Sequence, residues 1–176
     1  MNNSRKNTLN FIFGRRSIRV YAPGDVPDAD VQLMLEAAMA APSAVAKDPW
    51  RFVVVRDKQK RKLLAAELPN GQMLPEAALG IVVCGDLEQA HDQQLSYVLQ
   101  DCSAAIENLL LAVHVLGYGA CWLGVHPREN RVRHVSKVLG LPPSVMPVAI
   151  LALGRPGEQK EARTRFDPAF VHQEAW

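Results

Sequence analysis

The chain has 176 residues, 48% of them hydrophobic and 22% charged, a composition typical of one folded domain and unlike that of a disordered chain. Lys and Arg total 20 against 18 Asp and Glu, and the resulting net charge of +2 disfavours nucleic-acid binding through bulk electrostatics. Three widely spaced cysteines with no CxxC pair indicate buried reduced thiols rather than a zinc or iron–sulfur site. The polar N-terminus and the short apolar stretches predict a cytoplasmic protein with no signal peptide and no membrane span.

In chain order, hydrophobic periodicity and turn residues predict helices alternating with short strands in a single domain over residues 1–176, of α+β or α/β class. A helix over about Ala29–Ala40 is expected to be capped by Asp28 and stopped by Pro42. The other predicted helical segments are a short helix or turn over Thr8–Gly14 and helices over Lys58–Leu68, about Gln89–Leu116 and Arg128–Leu139. The predicted strands are Arg51–Val55, Leu79–Gly85, Ala120–Val125 and Pro147–Leu153.

The most helical part of the sequence is also its most apolar part. Ala104–Leu116 is hydrophobic nearly all round, which is typical of a helix buried in a core or in a subunit interface. A domain of this size covers such a helix with difficulty, which favours the interface. Gly117 follows as a left-handed helix cap.

A basic cluster, Arg15-Arg16-Ser17-Ile18-Arg19, precedes this mostly apolar chain. Guanidinium groups bind phosphate oxygens in a bidentate fork, and a serine hydroxyl adds a further donor. The alternative is a solvated basic turn. Arg155 follows the last predicted strand and could converge on the same phosphate, since Gly154 leaves the adjacent backbone amides accessible.

The loop Ala41–Trp50 lies between two prolines and is rich in small residues that would allow a flat ligand to approach the backbone. The alternative is an ordinary connection between a helix and a strand. The histidines lack metal-ligand spacing, and no serine lies in a nucleophile elbow. The glycines of Gly117–Gly124 follow a helix and precede a strand, the reverse of a dinucleotide fingerprint. No catalytic side chain or metal ligand is therefore assigned, and the pattern indicates that a bound phosphorylated cofactor supplies the chemistry.

Taken together, these segments resemble the FMN-dependent nitroreductases, and the likeness runs in order from about residue 8 to residue 176. The sequence is identified as a compact member of that family. The residues that carry the resemblance are Arg15–Arg19, Ala41–Ala44 with Pro49-Trp50, the helix containing Asp101 that runs into Leu116–Gly124, Leu153–Pro156, and Arg165-Phe166 with Trp176.

The resemblance implies an α+β fold, an antiparallel central sheet flanked by helices, and a homodimer in which the C-terminal tail crosses to the partner. It also implies two FMN sites at the subunit interface. In each, Arg15, Ser17 and Arg19 would bind the FMN phosphate and ribityl chain, with Arg16 acting mainly through its backbone. Gly154 and Arg155 would reach the same phosphate.

The resemblance places the flavin ring between two further segments. Pro42, Ser43 and Ala44 of the partner chain would lie beside the ring, and the backbone of Trp122, Leu123 and Gly124 would face it, donating toward its N5 region. The chain departs from the family pattern after Ala44, because Ala46-Lys47-Asp48 stand where asparagine and glutamines are usual.

The activity implied by the resemblance is an FMN-dependent oxidation of NADH or NADPH that reduces nitroaromatics, quinones or similar small acceptors by ping-pong hydride transfer. Nucleic acids and membranes are not expected partners. One alternative is a flavin-binding carrier or regulatory protein without NAD(P)H turnover. Another is a specialised relative that oxidises a substrate or fragments reduced flavin with oxygen.

Overall fold

The computed structural model describes residues 7–176, and the polar segment 1–6 used for the signal-peptide prediction lies outside them. Helices and strands alternate along the chain, as the periodicity predicts. The helices are α1 (Asn10–Gly14), α2 (Asp28–Met39), α3 (Lys58–Ala65), α4 (Leu95–Val115) and α5 (Glu129–Leu139). The strands are β1 (Tyr21–Ala22), β2 (Trp50–Val55), β3 (Leu79–Asp86), β4 (Gly119–Gly124) and β5 (Val145–Pro156).

β5 is the central strand of an antiparallel sheet. It pairs with β3 on one side and with β4 on the other, and its last two residues pair with β1. β2 completes the sheet at the outer edge of β3. This arrangement confirms the predicted α+β fold with an antiparallel central sheet flanked by helices.

Two hydrophobic layers cover the two faces of this sheet. Side chains of α2 and α4, including Met34, Ile106 and Leu109, pack on one face against alternate residues of β3 and β5. Residues of α3, α5 and the segment between α3 and β3 pack on the other face, around Val82 and Ile150. Because both faces of β3 and β5 are buried, these strands are continuously apolar in sequence.

Two strand predictions are corrected by the sheet. β5 extends through Gly154 and Arg155 to Pro156, so these residues are part of the strand and do not follow its end. Residues 20–25 lie outside every predicted helix and strand, yet they contain the two-residue strand β1, because Tyr21 and Ala22 pair with Pro156 and Arg155. A partner this distant in sequence leaves no local signal in such a short strand.

Helix ends differ from the predictions by a few residues. Pro27, and not Asp28, is the N-cap of α2, and Asp28 is the first helical residue, where its charge favours the helix dipole. α3 begins after Asp57, whose Oδ1 accepts a 2.6 Å hydrogen bond from the Lys60 amide. Gly117 has φ +81°, as predicted for the residue that ends α4.

α4 begins at Leu95, later than predicted, and one side of it packs inside the protomer. Its buried residues include Val98, Ile106 and Leu110. Leu95 and Val115, at its two ends, are 39% and 64% exposed, so α4 keeps apolar surface that a partner could cover, and its place in a subunit interface stays a prediction. By length and composition alone α4 could cross a membrane, which is weak evidence because core helices pass the same test.

Candidate functional site

The basic segment Arg15–Arg19 runs beside β4. The Ile18 amide donates a 3.0 Å hydrogen bond to the Ala120 carbonyl, and Ser17 forms a parallel bridge to the same residue. Ile18 is buried directly over Gly119, where an added Cβ would lie 2.8 Å from the Ile18 side chain. The absence of a side chain at residue 119 therefore lets the basic segment lie flat against the strand.

Glu158 and Lys160, which follow β5, bind the same segment on its other side. The Glu158 carboxylate accepts hydrogen bonds from the Arg19 amide at 2.6 Å and from Lys160 Nζ at 3.0 Å. Lys160 also donates to the Ser17 carbonyl at 2.7 Å. The backbone hydrogen bond from Arg19, followed by the bond from Lys160, holds the pKa of Glu158 below its usual value. We call these two residues the Glu158–Lys160 clasp.

Residues 161–176, which we call the tail, follow the clasp and bring more positive charge to the basic segment. Arg163 and Arg165 of the tail lie near Arg16, and the Arg163 amide donates to the Phe13 carbonyl at 3.3 Å. Loss of hydration lowers the pKa of Arg16, and the neighbouring guanidiniums of Arg163, Arg15 and Arg165 lower it further. We call these four residues the arginine cluster.

The arginine cluster has little negative charge to balance it. Glu107 of α4 is 3.4 Å from Arg15 Nε. Arg16 Nε is buried and has no hydrogen-bond partner within residues 7–176. Arg15 and Arg16 line a cavity of about 340 Å³ together with His114, Lys160 and Glu158, whose carboxylate is already paired with Lys160. A buried guanidinium nitrogen without an acceptor beside several other cations suits an anion such as a phosphate monoester.

Arg19 lies in a different cavity, beside β4. This β4 cavity has a volume of about 550 Å³, within the usual range for small-molecule sites. Trp122, Leu123 and Gly124 line one side of it, and Asn70 and Gln72 line the other. It therefore combines strand backbone, amide side chains and one guanidinium around a space large enough for a planar ring.

The walls of the β4 cavity are held by two further arginines. Arg61 is buried and donates to the carbonyls of Arg56 and Leu74, the second at 3.2 Å, which fixes the segment after Gln72 against α3. Arg131 lines the cavity and donates to the Gly124 carbonyl at 3.0 Å. The cavity is therefore shaped by side chains anchored on both helices of that face.

The loop with Pro42, Ser43 and Ala44 is ordered by polar contacts elsewhere in the chain. Ser43 Oγ donates to the Asp48 carboxylate at 2.5 Å and accepts from the Asp48 amide at 3.0 Å. The Ala44 amide donates to Asp101 at 3.0 Å, so this buried carboxylate has a structural role. Pro42, Ser43 and Ala44 do not line the β4 cavity of their own chain.

Gly154 and Arg155 lie apart from both cavities. Gly154 is buried, and a Cβ there would meet the Ala78 amide nitrogen at 3.0 Å. The Arg155 side chain packs over Gly24, where an added Cβ would lie 2.7 Å from its Nε. The structure therefore brings Arg15 and Arg16 together, places Arg19 with the residues of β4, and does not bring Arg155 into the arginine cluster within one chain.

Several residues of these cavities were absent from the predicted site. Asn70 and Gln72 stand between the predicted helix Lys58–Leu68 and the predicted strand Leu79–Gly85, and nothing in their local pattern distinguishes them from ordinary loop residues. The tail residues of the arginine cluster and the clasp carry a usable signal, because three basic residues fall within the six positions 160–165, after the last strand. They are Lys160, Arg163 and Arg165.

The structure thus defines an α+β domain with a cationic cavity beside a larger one, and comparison with known proteins gives its family. The Nitroreductase family profile matches residues 12–78 and 65–155. An Archaeoglobus fulgidus protein provisionally named NADH dehydrogenase/NAD(P)H nitroreductase is 44% identical over 171 residues, covering 96% of this chain and 98% of that protein. The chain belongs to the Nitroreductase family.

Solved structures agree with this assignment. A Parabacteroides distasonis protein with the same provisional name superposes with a TM-score of 0.91 at 35% identity, covering 97% of this chain and 99% of the other. An FMN-dependent nitroreductase from Clostridium difficile superposes with a TM-score of 0.86 at 30% identity, covering 96% and 99%. The predicted family resemblance is confirmed.

Proposed function

We propose that this protein is an FMN-dependent NAD(P)H oxidoreductase that reduces nitroaromatics, quinones or similar small electron acceptors. The observation that carries the proposal is the pairing of two adjacent features: a β4 cavity suited to a planar ring, and an arginine cluster suited to a phosphate. Membership of the Nitroreductase family supports the same assignment. Three free cysteines are compatible with action in the reducing cytoplasm.

The residues present fit FMN. The arginine cluster would hold the phosphate, and Ser17 would add a hydroxyl donor between the cluster and Arg19. In this assignment Arg16 contributes its guanidinium as well as its backbone, because its buried Nε lacks an acceptor among the described residues. Arg155 has no place at this phosphate in the same chain.

The β4 cavity would hold the flavin ring. When bound, FMN supplies two-electron chemistry, taking hydride from a nicotinamide and passing electrons to an acceptor. The backbone of Trp122, Leu123 and Gly124 would lie against the ring. Arg19 would bring positive charge to the ring, which would favour added negative charge there. No acid or base from the protein is needed for hydride transfer itself, so binding and orientation are the contributions of the chain.

We further propose that a second copy of the chain completes the site. Pro42, Ser43 and Ala44 lie outside the β4 cavity of their own chain, and in a homodimer they would reach the flavin of the partner. The tail residues Phe166, Phe170 and Trp176 are at least 73% exposed, which is unusual for large apolar side chains unless a partner covers them. An exchanged tail would cover them.

The test is a spectrum followed by an anaerobic titration. The purified protein is expected to show a flavin absorption band, or to acquire one when FMN is added. NADH or NADPH should bleach this band, and a quinone added afterwards should restore it. A protein that binds no FMN contradicts the proposal. A protein that binds FMN but is bleached by neither nucleotide would instead be the carrier or regulatory protein of the alternative.

A further inference from the structure

A second cavity adjoins the β4 cavity. It lies between α3 and the segment that follows Gln72, and its volume is about 790 Å³. Gln72 lines both cavities, so the two share a wall residue and are neighbours on the same face of the molecule. We call the second one the α3 cavity.

Positive charge is concentrated along one side of the α3 cavity. Lys58 and Lys62 both line it and are four residues apart, which places them on the same face of the helix. Lys58 Nζ is 3.1 Å from Glu76 Oε2, and both side chains are more than 60% exposed, so this ion pair is weak and easily rearranged. Lys62 has no ion-pair or hydrogen-bond partner among residues 7–176. The cavity therefore has one cation in excess.

The rest of the cavity offers apolar surface. Leu63 is 56% exposed and lines the cavity, and Pro75 lines it as well. An apolar surface beside an unpaired ammonium group suits a ligand that combines an aromatic base with a phosphate. A purine ribonucleoside carrying a phosphate monoester has both features.

We propose that the α3 cavity binds the adenosine 2′-phosphate end of NADPH, with Lys62 as the residue that determines specificity. This inference rests on the proposed function, because the nicotinamide must lie against the flavin in the β4 cavity. A dinucleotide extending from that position passes Gln72 and enters the α3 cavity. A basic side chain at the 2′ position distinguishes NADPH, which has a phosphate there, from NADH, which has only a hydroxyl.

The proposal predicts a preference for NADPH that Lys62→Glu removes. The variant should bind NADP⁺ about tenfold more weakly or worse, because one charge-assisted hydrogen bond is lost and a repulsive charge is added, whereas NAD⁺ affinity should change little. Lys60→Glu is the matched control. It makes the same change of charge on the same helix, but Lys60 does not line the cavity.

Glu76→Gln provides a variant with the opposite expected effect. Removing this carboxylate frees Lys58 for the phosphate, so NADP⁺ should bind more tightly while NAD⁺ binding stays the same. The pair of variants thus changes the ratio of the two affinities in opposite directions. A defect in folding could lower both affinities but could not produce this pattern.

Calorimetry of the FMN-loaded protein with NADP⁺ and with NAD⁺ measures these affinities without turnover, and anaerobic reduction rates with NADPH and NADH provide a second readout. A wild-type protein that prefers NADH, or an unchanged affinity ratio in Lys62→Glu, overturns the inference while leaving the oxidoreductase intact. If neither nucleotide bleaches the flavin of the wild-type protein, the proposed function fails instead. A loss of NADP⁺ binding in Lys60→Glu equal to that in Lys62→Glu would show a general charge effect and would also overturn the inference.

Discussion

The basic segment contains two kinds of arginine that the sequence alone does not separate. Arg15 and Arg16 belong to the arginine cluster, while Arg19, at the other end of the same segment, lines the β4 cavity. Buried Ile18 stands between the two groups and anchors the segment over Gly119. One short extended segment can therefore hold both the phosphate and the ring of a single cofactor.

This division predicts different ligand dependence for two substitutions. Arg15→Ala should weaken FMN binding by about 1.5–3 kcal/mol, the range for a hydrogen bond to a charged group, and should leave riboflavin binding unchanged because riboflavin has no phosphate. Arg19→Ala should weaken both ligands, since its cavity would receive the ring. Fluorescence titration of the apoprotein measures both affinities.

The matched control for these two variants is Arg133→Ala, an exposed arginine on α5 whose one ion pair within residues 7–176 is with Glu129, four residues earlier. It should bind both flavins as the wild-type protein does. Equal losses for FMN and riboflavin in Arg15→Ala would contradict the assignment of that residue to the phosphate.

At the scale of residues, local pattern predicts contiguous segments but not where the chain carries each of them. Arg15–Arg19 and Trp122–Gly124 are predicted site segments, and the structure places Arg19 in one cavity with the β4 residues, while their contacts with FMN stay a prediction. The predicted convergence of Arg155 on Arg15 and Arg19 is not found, because β5 runs on through Pro156 and carries Arg155 toward Gly24. The path of a chain after a strand is a tertiary property, which local pattern does not specify.

Among the helices and strands, α4 and β3 approach each other most closely at a glycine, Gly85 of β3. A Cβ added at Gly85 would lie 2.1 Å from Val98 Cγ1 and 3.2 Å from Cys102 Sγ. Val98 is β-branched and fully buried, so its methyl group has no alternative position nearby. α4 can therefore lie this close to β3 only because Gly85 has no side chain.

Gly85→Ala should therefore destabilise the apoprotein by about 1–3 kcal/mol, the usual cost of overpacking a core. For a domain of this size that corresponds to a fall of roughly 2–12 °C in Tm. Gly124→Ala is the comparison, because the nearest atom to its added Cβ is 4.0 Å away. Thermal unfolding of both apoproteins measures the effect, and equal Tm values would show that the helix moves without cost.

Element types could be predicted well from periodicity, and their ends less well. The interiors of α2, β2, β3, β4 and α5 match the predictions because their burial patterns are local. The predicted start of α4, near Gln89, is too early, because residues 91–93 form a 3₁₀ turn in which Asp92 has φ +49°. Polar residues before a long apolar helix do not reveal such a turn.

For the molecule as a whole, the arrangement of exposed apolar residues bears on assembly. Phe11 and Ile12 of α1 and Val115 at the end of α4 are each at least 40% exposed, as are Phe166 and Trp176 in the tail. Burying large apolar side chains contributes about 1.5–3 kcal/mol each, so covering several of them would stabilise a dimer considerably.

Val115→Glu should shift the protein from dimer to monomer without unfolding it, because this side chain is 64% exposed in the protomer. Leu110 is unsuitable for such a test, since it is only 5% exposed and a charge there would disrupt the protomer core. Leu63→Glu, at a residue 56% exposed on α3, controls for adding a charge to an exposed leucine. Sedimentation velocity measures the assembly, and a dimer that is unaffected by Val115→Glu would exclude that end of α4 from the interface.

The Glu158–Lys160 clasp has a consequence for biosynthesis. Lys160 and Ser17 are 143 residues apart in sequence, and the clasp follows β5, the last strand of the sheet to leave the ribosome. The N-terminal arginines are made first, yet the residues that hold them follow only after β5 has been made. We therefore expect a chain arrested before residue 158 to have the basic segment without the clasp, and to bind FMN weakly.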